Sequence, residues 1–153
     1  MIEIVPVDRE NLSSGVMLCK ELHDLGTLNV VPFDVAYAVK QGEDLMTNPN
    51  WFVRLAKSNG KFQGIMMGYV TPFMFSPKIM ANESCLFVRQ QAKERTKIGS
   101  KLVKEFVAWA KSKEAVLIQA GDIACIDSLA IDRFYRAMGF KRAGGIYVME
   151  TMT

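Results

Sequence analysis

Residues 93–103 read KERTKIGSKLV. Lys93, Arg95 and Lys97 precede Ile98-Gly99-Ser100, and Lys101 follows as an apolar-periodic run begins. That order suits an anion. A helix N-terminus carries unpaired N–H groups and partial positive charge, and it binds phosphate. Gly99 offers backbone with no side chain in the way, Ser100 and Lys101 add donors, and the preceding bases add charge for further phosphates. The same residues also read as a glycine placed for helix–strand packing inside a solvated basic face. The charge distribution is uneven around this stretch. From Arg89 to Glu114 eight Lys or Arg stand against Glu94, Glu105 and Glu114, whereas from Glu21 to Asn50 Lys40 stands alone against Glu21, Asp24, Asp34, Glu43 and Asp44. A solvated face explains such a run, and a polyanionic ligand explains its placement.

Other chemistry is scarce. His23 is the single histidine, so most zinc sites are excluded, and a Ser-His-Asp triad would have to rest on His23 alone, which reads instead as a side chain on the flank of an amphipathic helix. Cys19, Cys85 and Cys125 are widely spaced, with neither metal-ligand spacing nor a disulfide framework. They read as small buried hydrophobes in a reducing compartment, and no metal is expected. Half of the 153 residues are apolar, 23% are charged, and the net charge is +3. This is the profile of one globular domain, residues 1–153. No apolar run approaches a membrane span, and MIEIVPVDRE is not a signal peptide, so a cytoplasmic protein is expected.

The elements that position the basic stretch follow from periodicity. Residues 2–7 alternate as a strand. Asp8 or Asn11 caps a helix carrying Leu12, Val16, Cys19 and Leu22 and ending near Gly26. A second helix spans about 34–40 and stops at Gly42. Strands follow at 51–57 and 62–70, joined by Asn59-Gly60, a strong hairpin signal. Pro72 and Pro77 delay the next strand to 80–88. Then come a helix over 98–111, a short apolar strand at 115–119 expected to be buried, a helix from Asp127 or Ser128 through Met138 ended by Gly139, and strands at 140–142 and 146–151. Strand 80–88, helix 98–111 and strand 115–119 form a β-α-β unit, parallel with a right-handed crossover. Ligands gather beyond the carboxyl ends of such strands, where the basic stretch lies.

Strand-LFV, a basic loop, IGSKLV, a helix, a buried strand and then DRFYRAMGF resemble the GNAT superfamily of acetyl-CoA-dependent N-acyltransferases. The resemblance covers about residues 80–150, and the first half matches in element order. It implies an α/β (α+β) fold: a mixed, mostly antiparallel sheet of about seven strands with one parallel unit and helices on both faces. It implies that Arg95, Lys97, Ile98, Gly99, Ser100 and Lys101 hold the pyrophosphate of acetyl-CoA. It also implies that strand 80–88 splays from strand 115–119, and that backbone at Leu86, Phe87 and Val88 pairs with the pantetheine arm. The family loop pattern is Gln or Arg, two residues, Gly, one residue, Gly or Ala. Gly99 matches the second glycine. Lys97 stands at the first, and Glu94 stands at the Gln/Arg position unless the register slips to Arg95. Tyr135, in FYRAMGF, matches a tyrosine that protonates the departing thiolate. Glu83 lies where several members place a general base, with Asp122 and Asp127 as rivals.

The resemblance implies an N-acetyltransferase acting on a primary amine. The acceptor pocket would be drawn from residues 28–37, 72–78 and 144–147, with Phe33, Tyr37, Phe73, Phe75 and Tyr147 as candidate walls. The acidic residues of 21–44 suit a cationic amine. Two alternatives stand beside this reading. One is a degenerate member that binds coenzyme A without catalysis, which the departures at Lys97 and Glu94 raise. The other is a nucleic-acid modifier of the kind found in phages. The expected partners are acetyl-CoA and an amine acceptor, with no membrane. The charge decides nothing about nucleic acid, and a homodimer is left open.

Overall fold

The computed structural model describes residues 1–122 and 124–151. In chain order its elements are β1 (Ile2–Pro6), α1 (Leu12–Leu25), α2 (Val35–Leu45), β2 (Trp51–Ser58), β3 (Lys61–Pro72), β4 (Ile79–Val88), α3 (Arg95–Ser112), β5 (Leu117–Gln119) and α4 (Ser128–Ala137). The five strands form one sheet in the order β1-β2-β3-β4-β5. β1 to β4 are antiparallel neighbours, and β5 joins β4 in parallel. The β2–β3 turn is the Asn59-Gly60 pair, with φ of 51° and 76°, the left-handed pair a two-residue hairpin needs.

Each strand alternates between two apolar layers. Phe52, Ala56, Met66 and Ala81 pack against Ile98, Leu102 and Phe106 of α3. Val53, Leu55, Ile65 and Phe87 pack on the other face with Leu12, Val16 and Leu18 of α1. Each such aliphatic or aromatic side chain contributes about 1.5–3 kcal/mol on burial, so the two helices are held to the sheet independently. α2 lies against α1. Asp34 caps it by accepting from the Tyr37 N–H at 3.0 Å. It runs through Gly42 rather than stopping there, because Gly42 is a packing position: a Cβ on it would lie 2.5 Å from Leu12 Cδ1.

Among the described residues the sheet has five strands, not seven. Residues 140–151 form no strand, and from Lys141 onward every one is exposed. β5 presents a three-residue edge, which leaves little to pair with. Ala143-Gly144-Gly145 has no side chain larger than a methyl to bury, and the alternating residues 146–149 stay exposed. For the same reason β5 is not the buried central strand its apolar sequence suggests. It is the edge of the sheet, and Leu117 is 52% exposed.

No helix among the described residues is long and apolar enough to cross a membrane. No group of acidic, histidine or cysteine side chains among them is arranged to hold a metal ion.

Candidate active site

β4 and β5 pair only at Met80↔Leu117, Ala81↔Ile118 and Asn82↔Gln119. β4 then continues to Val88 while β5 ends. From Glu83 to Val88 the β5-facing edge of β4 therefore has no strand beside it. At about 3.3 Å per residue the opening is roughly 20 Å long. Leu86, Phe87 and Val88 lie at its far end.

A bulge sits at the mouth of the opening. Met67 pairs with Cys85 and Gly68 with Glu83, so Ser84 is an extra residue in β4. It switches the alternation. Ala81 faces the α3 layer, whereas Cys85 and Phe87, of the same parity, face the α1 layer. Gly68 is what lets β3 follow. A Cβ there would lie 2.7 Å from the Asn82 carbonyl oxygen and would overlap the Phe106 ring.

Glu83 and Tyr135 meet beside this bulge. Both line a depression of about 60 Å³, together with Cys85, Leu86, Asp122 and Ile131. Glu83 Oε2 accepts from the Gly121 N–H at 3.0 Å. Burial pushes the Glu83 carboxyl up to about 7, against the pull of the Gly121 N–H, and the Asp122 charge adds to the rise. Tyr135 is 9% exposed, between Phe134 and Phe140. Its buried hydroxyl has no hydrogen-bond partner among the described residues. Burial, then the Glu83 charge, pushes the phenol well above its usual range. A carboxyl that ionises near neutrality accepts a proton, and a phenol held protonated donates one. The rival carboxylates are already engaged. Asp122 accepts from Ser128 Oγ at 2.6 Å and from the Cys125 N–H at 3.1 Å, and Asp127 caps α4 through the Ala130 N–H.

The start of α3 lies past the end of β4. Glu94 is its N-cap, with φ of 56° and no side-chain capping bond. The first closed turn is the Ile98 N–H to the Glu94 carbonyl at 3.0 Å. The N–H groups left without intrahelical acceptors are therefore those of Glu94, Arg95, Thr96 and Lys97, a turn earlier than Gly99 and Ser100. Thr96 belongs to this set and the sequence reading passed over it, although the position of a cap three or four residues before the apolar run points there. Gly99 and Ile98 are buried inside the helix. A Cβ on Gly99 would touch the Phe134 ring at 3.4 Å and Val88 at 3.9 Å, so this glycine faces α4 and β4. Arg95 Nε donates to the Val88 carbonyl at 3.2 Å, which ties the helix start to the end of β4. Lys97 pairs with Glu94 at 3.2 Å on the surface. Lys101 is turned away from the others: its Nζ reaches the Ile2 carbonyl of β1 at 3.3 Å.

None of Phe33, Tyr37, Phe73, Phe75 and Tyr147 lines the depression; Leu22 of α1 and Ile131 of α4 do. Phe33 packs on His23, whose Nε2 lies 2.6 Å from the Val31 carbonyl. Phe73 and Phe75 pack on each other in the β3–β4 turn. Leu22 was legible as an apolar position of α1, but its place at the opening depends on how α1 crosses the sheet.

A family model described as the acetyltransferase (GNAT) family matches residues 21–140. Comparison with curated proteins finds no significant match. Among solved structures, AAC(6')-Iy in complex with the bisubstrate analogue CoA-S-monomethyl-acetylneamine superposes with a TM-score of 0.79 at 13% identity, over 100% of this chain and 99% of that one. A transcriptional regulator from Bacillus halodurans superposes at 0.77 with 21% identity, over 98% and 99%. The aminoglycoside 6'-N-acetyltransferase AAC(6')-IG from Acinetobacter haemolyticus superposes at 0.75 with 14% identity, over 99% of each chain. At these identities the likeness is one of fold.

Proposed function

The chain belongs to the GNAT family of acetyltransferases, and from that premise we propose that it transfers an acetyl group from acetyl-CoA to a primary amine of a cationic acceptor. The observation that carries this reading is the meeting of Glu83 and Tyr135 in one cavity where β4 and β5 part. The residues suit coenzyme A. The open edge from Glu83 to Val88 offers backbone donors and acceptors to an amide-bearing arm. The uncapped N–H groups at Glu94–Lys97, with Arg95 and Lys97 beside them, suit its phosphates. Acetyl-CoA would supply the thioester carbonyl for the amine to attack, and coenzyme A would leave as a thiolate.

The chain's own part is proton management. An amine attacks only when uncharged, and Glu83, ionising near 7, takes its proton. Tyr135 keeps its proton and gives it to the departing sulfur. Its unpartnered hydroxyl supports that role. Glu83 and Asp122 at the cavity favour an acceptor that arrives as a cation, and the aminoglycoside acetyltransferases among the fold neighbours are in keeping with that. We assign the work to the cytoplasm, where acetyl-CoA is available.

The test is thiol release from acetyl-CoA with a panel of aminoglycosides, polyamines and lysine peptides, alongside calorimetric titration with acetyl-CoA. Amine-dependent thiol release is expected. Acetyl-CoA binding without release on any amine would favour the degenerate binder, and no binding at all would sink both readings.

A further inference from the structure

Residues 141–151 follow α4 and belong to no helix or strand. Among the described residues none of their backbone groups makes a backbone hydrogen bond. Four consecutive apolar side chains, Ile146 to Met149, are between 56% and 95% exposed. They present roughly 650 Å², more than the largest apolar patch of a typical monomer and close to the ~800 Å² that one partner of a standard interface buries. Arg142 and Glu150 bracket them. Both are exposed, and among the described residues neither has an ion-pair partner. We propose that this segment is an interface with a second copy of the chain, in which residues 142–150 pair antiparallel with the same residues of the copy about a two-fold axis at Ile146.

The stretch RAGGIYVME is complementary to itself. With Ile146 opposite its own counterpart, Arg142 of each copy faces Glu150 of the other, so an ion pair forms at both ends. Ala143 then faces Met149, Gly144 faces Val148 and Gly145 faces Tyr147. Each large side chain lies across from a small one, and an aromatic ring across from glycine stabilises an antiparallel pair. Opposed residues point to the same face, so a symmetric register must set one residue opposite itself. Moving the axis to Gly145 or Tyr147 sets Glu150 opposite Phe140 or Gly144 and loses both ion pairs. A two-stranded ribbon alone is marginal, and this one has a seat. Ile146 rests against Gly121, where a Cβ would lie 3.6 Å from Ile146 Cδ1. Gly121 is the donor to Glu83, so the interface adjoins the cavity. The copy supplies the neighbouring strand that the short β5 edge does not. The two-fold axis closes the assembly at two copies. None of this depends on acetyl transfer.

Sedimentation equilibrium of the full chain, over a range of concentrations, tests the face. The native chain should run at twice its monomer mass at micromolar concentration. Arg142→Glu should raise the dimer dissociation constant about tenfold, because it sets like charges against each other at both ends. Glu150→Arg should do the same. The double variant exchanges the signs and restores both ion pairs, so its dissociation constant should return to the native value. Two charges that do not meet across the copies would not recover in this way. Both side chains are exposed, so the melting temperature of diluted, monomeric samples should be equal in all four proteins. Opposed residues lie about 4.5–5.5 Å apart at Cα, within reach of a disulfide. Ile146→Cys, made together with Cys125→Ser, should therefore cross-link to its own copy on mild oxidation. Met149→Cys on the same background should not, because it faces Ala143. A native chain that stays monomeric throughout would overturn the interface. So would a dimer that the double reversal fails to restore, or one that cross-links through Met149→Cys and not through Ile146→Cys.

Discussion

Along its β3 edge β4 has nine partnered positions, from Ile79 opposite Pro72 to Val88 opposite Gly64. Along its β5 edge it has three, and they end at Asn82. The paired edge fixes where the strand lies, and it includes the bulge. The open edge leaves backbone groups that still need partners. One strand thus has a fixed edge and an open one, and Glu83 sits where the second edge changes from paired to open. Breaking one edge should cost chemistry, and breaking the other should cost stability.

The largest expected effect is on the open edge. Glu83→Gln keeps an oxygen for the Gly121 N–H but removes the proton acceptor. Acetyl transfer should fall about 10²–10⁴-fold. The wild-type rate should rise with pH through about 7, and this limb should vanish in the variant. Stability should move the other way. The folded-state pKa of Glu83 is raised from 4.5 to about 7, so between these values the folded chain binds more protons than the unfolded one. The contribution is fully present below about 4.5 and is lost as pH rises through 7. Glu83→Gln escapes that loss, so its melting temperature relative to wild type should be higher at pH 8 than at pH 4. An identical difference at both pH values would mean that Glu83 ionises normally.

Tyr135→Phe separates the same two quantities. It deletes a hydroxyl that is buried and unpartnered, so melting temperature should hold or rise. Turnover should fall about 10²-fold, with kcat and kcat/KM falling together, because the lost interaction exists only in the transition state. An unchanged rate would return Tyr135 to the core between Phe134 and Phe140.

On the paired edge the corresponding break is Gly68→Ala. The added methyl meets the Asn82 carbonyl, which is backbone, and the Phe106 ring, which is packed on all sides. Such overpacking costs about 1–3 kcal/mol, to be read from the urea midpoint. A stability within error of wild type would show that β3 and β4 have room to separate at the bulge.

What the sequence disclosed follows the same division. The Asn59-Gly60 turn, Gly139 at φ 95° after α4, and the β4–α3–β5 crossover each rest on a local residue type or period, and all were legible. The bulge at Ser84 was not. It depends on how closely Gly68 approaches Asn82, and no local pattern in NESCLF marks it. Gly42 reads as a stop and acts as a contact because its neighbour, Leu12, is distant in the chain. The expected strands at 140–142 and 146–151 had alternation, but an alternating segment becomes a strand only when an edge is long enough to take it. Tyr135 was singled out through a resemblance carried by FYRAMGF, and Glu83 through its place on the strand that borders the opening. Their meeting in one cavity is a matter of packing.

The smallest expected effect lies at the helix start, and its sign is more informative than its size. Lys97 and Glu94 pair on the surface, with side chains more than half exposed. If anionic phosphate binds the free N–H groups there, the two residues act oppositely. Lys97→Ala removes a cation from the site. Glu94→Gln removes an anion from the cap and frees Lys97 from its partner. Exposed charges contribute about 0–1 kcal/mol, so acetyl-CoA affinity should fall severalfold in the first variant and rise by a similar factor in the second. Both changes should shrink as salt shortens the screening length. Glu94→Gly should go further than Glu94→Gln, because it also relieves a left-handed backbone at φ 56°, and it should raise the melting temperature as well. Dephospho-CoA, titrated on each variant, tells the pyrophosphate from the 3'-phosphate. Affinity that moves in the same direction in Lys97→Ala and Glu94→Gln would mean that neither charge faces the ligand, and the basic stretch would then be a solvated helix start.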